Sequence, residues 1–195
     1  ATNKIQSSNI DGSGLIKNLI TGQGQPIDIT LDIDAGKIYW TDNSNKMIKR
    51  SNLDGSNVEY LVVGLTNPRI IALDINDRKM YWTDIGSDKI QRADLDGSNI
   101  EDLIMGLNNP RGIALDLNQG KIYWSEIKDN KIKRANLDGS NIEDIVTNLK
   151  DPYGIALDLR DIPDHNLQPP SSPPQRQLYC NGQPAIIIGT EANDN

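Results

Sequence analysis

The sequence of 195 residues has no phenylalanine, one histidine and one cysteine. Without Phe, and with hydrophobic residues at 36%, a thick aromatic core is excluded. The aromatic mass is instead spread over evenly spaced positions. The lone thiol, Cys180, cannot form an intramolecular disulfide; it reads as buried, reactive or half of an intermolecular bond. His165 lies in a Pro-rich stretch and reads as an exposed loop residue. Ser-His-Asp, Cys-His and paired metal-ligand motifs are all absent. Positive charge is in deficit, with 20 Lys and Arg against 27 Asp and Glu. A net charge of −7 suits solubility and argues against nucleic acid or an anionic membrane as partner. No window reaches the roughly 18 apolar residues of a membrane span, so membrane insertion is not expected. There is no visible signal peptide, as in a mature form, and no Asn-x-Ser/Thr sequon. The Gly pairs at 12–14 and 22–24 lack the strand-then-helix setting of a phosphate loop.

What the sequence does have is a repeat. Asp-Gly pairs stand at 11–12, 54–55, 96–97 and 138–139, and Leu-Asp pairs at 31–32, 73–74, 115–116 and 157–158. Both series run at 42 or 43 residues. Tyr-Trp pairs recur at 39–40, 81–82 and 123–124. Within one period, "GIALDL" (112–117), "KIYWSE" (121–126), "KIKRANL" (131–137) and "IEDIVT" (142–147) read as four strands. Short polar turns join them in antiparallel order. A helical reading fails because the segments are short, β-branched and cut by Gly, Pro and Asn. Four strands per period predict an all-β protein, a β-propeller of four-stranded blades with four blade equivalents per chain. The apolar, small-residue first strand suits the crowded axis. Trp40, Trp82 and Trp124 then form core between blades.

The sequences "YWTD" (39–42, 81–84) and "YWSE" (123–126), with "IKRSNLDGS" after and "NPRGIALD" before them, resemble the YWTD or class B repeats of the low-density lipoprotein receptor family. The resemblance covers roughly residues 1–159. It implies a six-bladed propeller, an extracellular location, and a binding or scaffold role rather than catalysis. The Cys-rich modules that often accompany the family are absent here. Four blade equivalents leave three accounts of closure: an eight-bladed ring of two chains, which is the reading adopted, a compact four-bladed ring, or completion by a complementary propeller chain. Residues 160–175 read as a Pro-rich insertion, and 176–195 as a tail in which Leu178–Cys180 supplies a closing second strand. That strand would join 153–159 as a first strand and 4–20 as the third and fourth.

The acid after Tyr-Trp (Asp42, Asp84, Glu126) and an arginine in the next strand (Arg50, Arg92, Arg134) invite cross-strand pairing. Asn181 and Ser7 replace both together in the composite blade. Asp32, Asp74, Asp116 and Asp158 form a series that either rings one axial mouth or ends each strand with hydrogen bonds, the latter preferred. The Asp-x-Asp stretches at 32–36 and 94–98 leave a structural calcium ion as a minor option; Asx-type turns are preferred. No cofactor is otherwise expected. Arg69, Arg111 and Tyr153, with Ile27 at the matching position, vary over an otherwise constant frame and are the candidate ligand surface. The reading is a non-enzymatic recognition or scaffold module for a protein or peptide. Its alternatives are a lectin with one glycan site per repeat and a storage or structural protein.

Overall fold

Each short apolar run pairs with its neighbour in the computed structural model, which describes residues 3–159 and the backbone of 179–180 and 183–184. β1 (Ile5–Ser7) and β2 (Lys17–Ile20) form a half-blade. The first complete blade is β3 (Pro26–Asp32), β4 (Lys37–Asp42), β5 (Met47–Asn52) and β6 (Glu59–Val63). The second is β7 (Pro68–Asp74), β8 (Lys79–Asp84), β9 (Lys89–Asp94) and β10 (Glu101–Met105). The third is β11 (Pro110–Asp116), β12 (Lys121–Glu126), β13 (Lys131–Asn136) and β14 (Glu143–Val146). Every pairing within a blade is antiparallel. β3 packs beside β7 and β7 beside β11, so the first strands line the axis as expected.

One blade cannot bury both its faces, so blades stack. Trp82 is fully buried with Tyr39, Ile48 and Val62 of the blade before it. Trp124 repeats this against Tyr81, Ile90 and Ile104. Trp40 meets only Ile5 and Ile20 of the half-blade, in a smaller cluster.

The Asp-Gly-Ser-Asn turn makes the second contact of each seam. Asp54, Asp96 and Asp138 each accept the amide of the serine two residues on, at 2.9 Å. Their carboxylates therefore build Asx turns, as preferred from the sequence. Gly97, at φ 88°, lies so close to the preceding blade that a Cβ would stand 2.4 Å from the Leu61 carbonyl oxygen. Gly12 has the same left-handed backbone, φ 74°, with nothing within 4 Å. Gly97→Ala is therefore expected to destabilise the protein clearly more than Gly12→Ala. Both incur the left-handed penalty of ~1–2 kcal/mol, but only the first also pushes two blades apart. Urea midpoints of the two variants, if equal, would remove this contact from the account.

The expected closing blade is described only in part. Residues 153–159 lie beside β11, where a first strand belongs: a Cβ on Gly112 would meet the Tyr153 carbonyl oxygen at 2.5 Å. Yet they form no ladder, because no second strand flanks them among the described residues. β15 (Tyr179–Cys180) pairs with β16 (Gln183–Pro184) in a separate two-stranded sheet rather than with β1. The rest of the expected insertion and closing tail, His165 included, lies outside the described residues.

Candidate functional site

Three roles recur in the second strand of each complete blade. Tyr39, Tyr81 and Tyr123 stack under Arg50, Arg92 and Arg134, with the guanidinium carbons 5.7, 5.8 and 5.9 Å from the ring centres. The next-but-one residue, Thr41, Thr83 or Ser125, bridges two blades. Its hydroxyl donates to the carbonyl of Arg69 (2.6 Å), Arg111 (2.7 Å) or Tyr153 (2.8 Å) in the following blade. It also accepts from a first-strand amide of its own blade, that of Asp28, Ile70 or Gly112.

The acid that follows grips the loop between blades. Asp42 accepts from the amides of Gly24 (3.0 Å), Gln25 (2.9 Å) and Asn45 (3.1 Å). Asp84 takes those of Thr66 and Asn67, both at 2.8 Å, and Glu126 that of Asn108 at 3.0 Å. All three acids are buried. In the first blade Lys49 is buried too, with its ammonium 2.8 Å from Asp42. Burial pushes the Asp42 carboxyl up, but Lys49 and the amides of Gln25, Gly24 and Asn45 outweigh it. The carboxyl is held well below the usual carboxylate range.

The expected acid–arginine pairs do not form. Full antiparallel register sets Asp42 opposite Met47 and Arg50 opposite Tyr39, three pairs away. The same offset separates Asp84 from Arg92 and Glu126 from Arg134. The arginines reach outward instead, to Glu59 (2.6 Å), Glu101 (2.7 Å) and Glu143 (2.5 Å) on the fourth strands. The joint replacement at Ser7 and Asn181 therefore carries no information about closure; in the half-blade Ser7 faces Lys17. The axial aspartates take the strand-ending role. Asp32, Asp74 and Asp116 are 3%, 3% and 2% exposed and accept the amides of Ala35, Asp77 and Gln119 in their own turns. They form no open acidic ring, and Asp158 is half-buried beside them in sequence order. Among the described residues no group of three or more His, Cys, Asp or Glu is placed to hold a metal ion.

The candidate ligand residues fare differently. Strand register breaks between Pro68 and Ile71 and between Pro110 and Ile113, a bulge that re-aims the side chains of Arg69 and Arg111. The Arg111 guanidinium lies 4.6 Å from the Tyr153 ring centre and also donates to the Tyr153 hydroxyl. Tyr153 stays exposed. Arg111 also donates to the Asn109 side chain at 3.3 Å. Arg69, half-buried, is the second residue of β7, the matching place. The backbones of all three are those held by Thr41, Thr83 and Ser125.

Low-density lipoprotein receptor repeat class B matches at residues 36–75, 78–117 and 120–159. The chain belongs to this family. Among solved structures, this class B repeat chain is similar to a chain of a nidogen/laminin complex, at 30% identity over 80% of its own length with a TM-score of 0.72. It spans 64% of that chain. It also resembles a virginiamycin B lyase of Staphylococcus aureus, at 26% identity over 68% of its length and 45% of the lyase, TM-score 0.56. A gluconolactonase of Xanthomonas campestris shares the fold, at 18% identity over 80% of the chain and 60% of that enzyme, with a TM-score of 0.68. No helix among the described residues is long and apolar enough to cross a membrane.

Proposed function

We infer that this class B repeat chain is an extracellular, non-enzymatic recognition module that takes a protein or peptide segment on the face carrying Arg69, Arg111 and Tyr153. The observation that carries the reading is the Arg111–Tyr153 stack. An exposed ring and a pre-positioned guanidinium sit on backbone that buried hydrogen bonds hold still. A planar cation beside an aromatic face is the composition of a protein-binding hot spot, with little ordering entropy left to lose. The same position carries Ile27, Arg69, Arg111 and Tyr153 in turn, so the frame repeats while the presented chemistry does not. The nidogen/laminin complex supports a protein as the ligand class.

Selection of a random linear-peptide display library on the immobilised protein tests this. Selected peptides should lose about tenfold or more in affinity, ~1.4 kcal/mol, on Arg111→Ala and on Tyr153→Ala, each variant checked for folding by circular dichroism. Peptides indifferent to both substitutions would overturn the assignment of the face. Capture of glycans on an array, with no peptide selected, would overturn the ligand class.

A further inference from the structure

Arg50, Arg92 and Arg134 each hold a fourth-strand glutamate, at 2.6, 2.7 and 2.5 Å. Arg111 differs. Among the described residues it meets only neutral groups. Its Nε donates to the Asn109 side-chain oxygen at 3.3 Å, its Nη1 donates to the Tyr153 hydroxyl, and its guanidinium carbon lies 4.6 Å from the Tyr153 ring centre. A guanidinium has five N–H donors in a fixed fork. Among the described residues no acceptor meets Nη2, so the edge formed by Nη1 and Nη2 is open to a ligand. The backbone beneath is fixed on both sides. Thr83 donates to the Arg111 carbonyl at 2.7 Å, and Ser125 accepts the next amide, that of Gly112, at 2.9 Å.

The charges around that edge leave it positive. Lys128 stands where the first two blades have Ser44 and Gly86. Its amide donates to the Asn108 carbonyl at 3.3 Å, so it flanks the loop that leads into Arg111, and its side chain is exposed. The acids nearby are engaged elsewhere. Asp88 accepts the Asn109 amide at 3.1 Å, and Asp129 accepts from the Asn108 side chain at 2.9 Å. Glu126 and Asp129 share Lys133, at 3.3 and 3.8 Å. Lys150 and Asp151, adjacent and both exposed, offset one another. Two cations, Arg111 and Lys128, are left beside one exposed aromatic ring, on a chain whose net charge is −7.

Resting on the reading of this face as a peptide-binding surface, we propose that the segment it takes is acidic. A carboxylate, from an Asp or Glu side chain or from a chain end, seats on the Nη1–Nη2 edge of Arg111, and an adjoining apolar side chain lies on Tyr153. The two oxygens of a carboxylate match the spacing of two guanidinium N–H groups, so the pair is bidentate and held in one orientation. The stack on Tyr153 has already ordered the arginine, which lowers the entropy lost on binding. Lys128 stands at the rim, where a charge steers encounter more than it holds the complex. A basic segment is repelled by the same two residues, so they select as well as attract.

Peptides selected from a random linear display library, and kept because they need both Arg111 and Tyr153, test this. They should share an Asp or Glu. Replacing it by Asn or Gln in the synthetic peptide should cost about tenfold or more in affinity, as for a hydrogen-bonded charge. Cutting the neutralised peptide so that it ends in a free carboxylate at that position separates the two sources. Restored affinity shows that a chain end serves, and no restoration that only a side chain does. Lys128→Gln should slow association and flatten its salt dependence, with dissociation unchanged. Arg111→Glu, checked for folding by circular dichroism, should prefer the peptide whose acid is changed to Arg, reversing the native order. Peptides that need Arg111 and Tyr153 but carry no acid, or keep their affinity once it is neutralised, would overturn this inference and leave the peptide-binding face standing. Peptides indifferent to both residues would overturn the two together.

Discussion

Trp82→Ala is expected to destabilise the protein by ~3–5 kcal/mol. The indole is wholly buried where two blades meet, against Tyr39, Ile48, Val62, Ile71, Met80 and Leu95. Removing it leaves a cavity between two sheets that stiff backbone ladders prevent from collapsing. The Gln91 side-chain oxygen, which accepts from the indole Nε1–H at 3.1 Å, also loses its donor. Trp40→Ala should cost less, although Trp40 is equally buried. It packs on Ile5, Ile20 and Leu19 of a half-blade and on Ile38 of its own blade. Its Nε1 has no hydrogen-bond partner: Lys49, which can only donate, stands opposite where Trp82 has Gln91, and no acid reaches it as Glu126 reaches Trp124. Denaturant unfolding followed by circular dichroism would give both values. An equal or larger loss for Trp40→Ala would show that burial alone, and not the seam, sets the magnitude.

Asp42→Ala comes second, at ~3–5 kcal/mol. The aspartate is the anion that buried Lys49 contacts, and without it the lysine would keep only the neutral Gln23 side-chain oxygen, at 3.0 Å, to offset its charge. The amides of Gly24 and Gln25 would lose their acceptor as well, freeing the loop that leads into the first complete blade. The double variant Asp42→Ala/Lys49→Met should recover a large part of the loss, since it removes the stranded charge while keeping the apolar stem. Failure of the double variant to recover would mean that the amide bonds, not the ion pair, dominate. The pH dependence has a definite sign. The folded-state carboxyl of Asp42 is depressed, so its stabilisation is present above the unfolded aspartate value of about 3.9 and is lost as pH falls below it. Acid unfolding should therefore begin at lower denaturant in the native protein below about pH 4. Asp42→Ala should show a flatter profile over the same range.

Asp28 behaves in the opposite way and was not visible as a special residue. Burial pushes its carboxyl up, against the amides of Ile71 and Ile29, while its Oδ2 accepts the Ile71 amide of the next blade at 2.9 Å. Asparagine keeps an acceptor there and removes the buried charge. Asp28→Asn should therefore raise the thermal midpoint at neutral pH, and a lowered midpoint would mean that the charge itself strengthens that bond.

Much of the blade was legible in the residues. The runs "KIYW" and "KMYW" became β4, β8 and β12 with the expected boundaries, because alternation and β-branching act locally along one strand. The Asp-Gly-Ser-Asn turns were legible for the same reason. Glycine and asparagine tolerate the left-handed backbone seen at Gly97 and Asn99, and the aspartate caps the turn within two residues. Less legible was which charge pairs with which. Proximity in sequence suggested Asp42 with Arg50, whereas the register carries Arg50 to Glu59 across the next strand and turns Asp42 into a loop. The hydroxyls of Thr41, Thr83 and Ser125 were passed over because their acceptors lie 28 residues away, in another blade. The one available signal was the small hydroxyl residue between an aromatic and an acid in every repeat.

The sequence by itself determined the four-strand repeat, its turns, its tryptophan core positions and its family. All of these follow from periodicity and from conformational preferences that a few neighbouring residues settle among themselves. Only the tertiary structure decided the partnerships: which carboxylates grip loops, which arginines cross a seam, and that Arg111 and Tyr153 stand together while Asp32, Asp74 and Asp116 turn inward. The Arg50–Leu95, Arg92–Leu137 and Arg111–Tyr153 contacts join residues about one repeat apart. Each depends on strand register and on the stacking of whole sheets, which no single stretch of chain encodes.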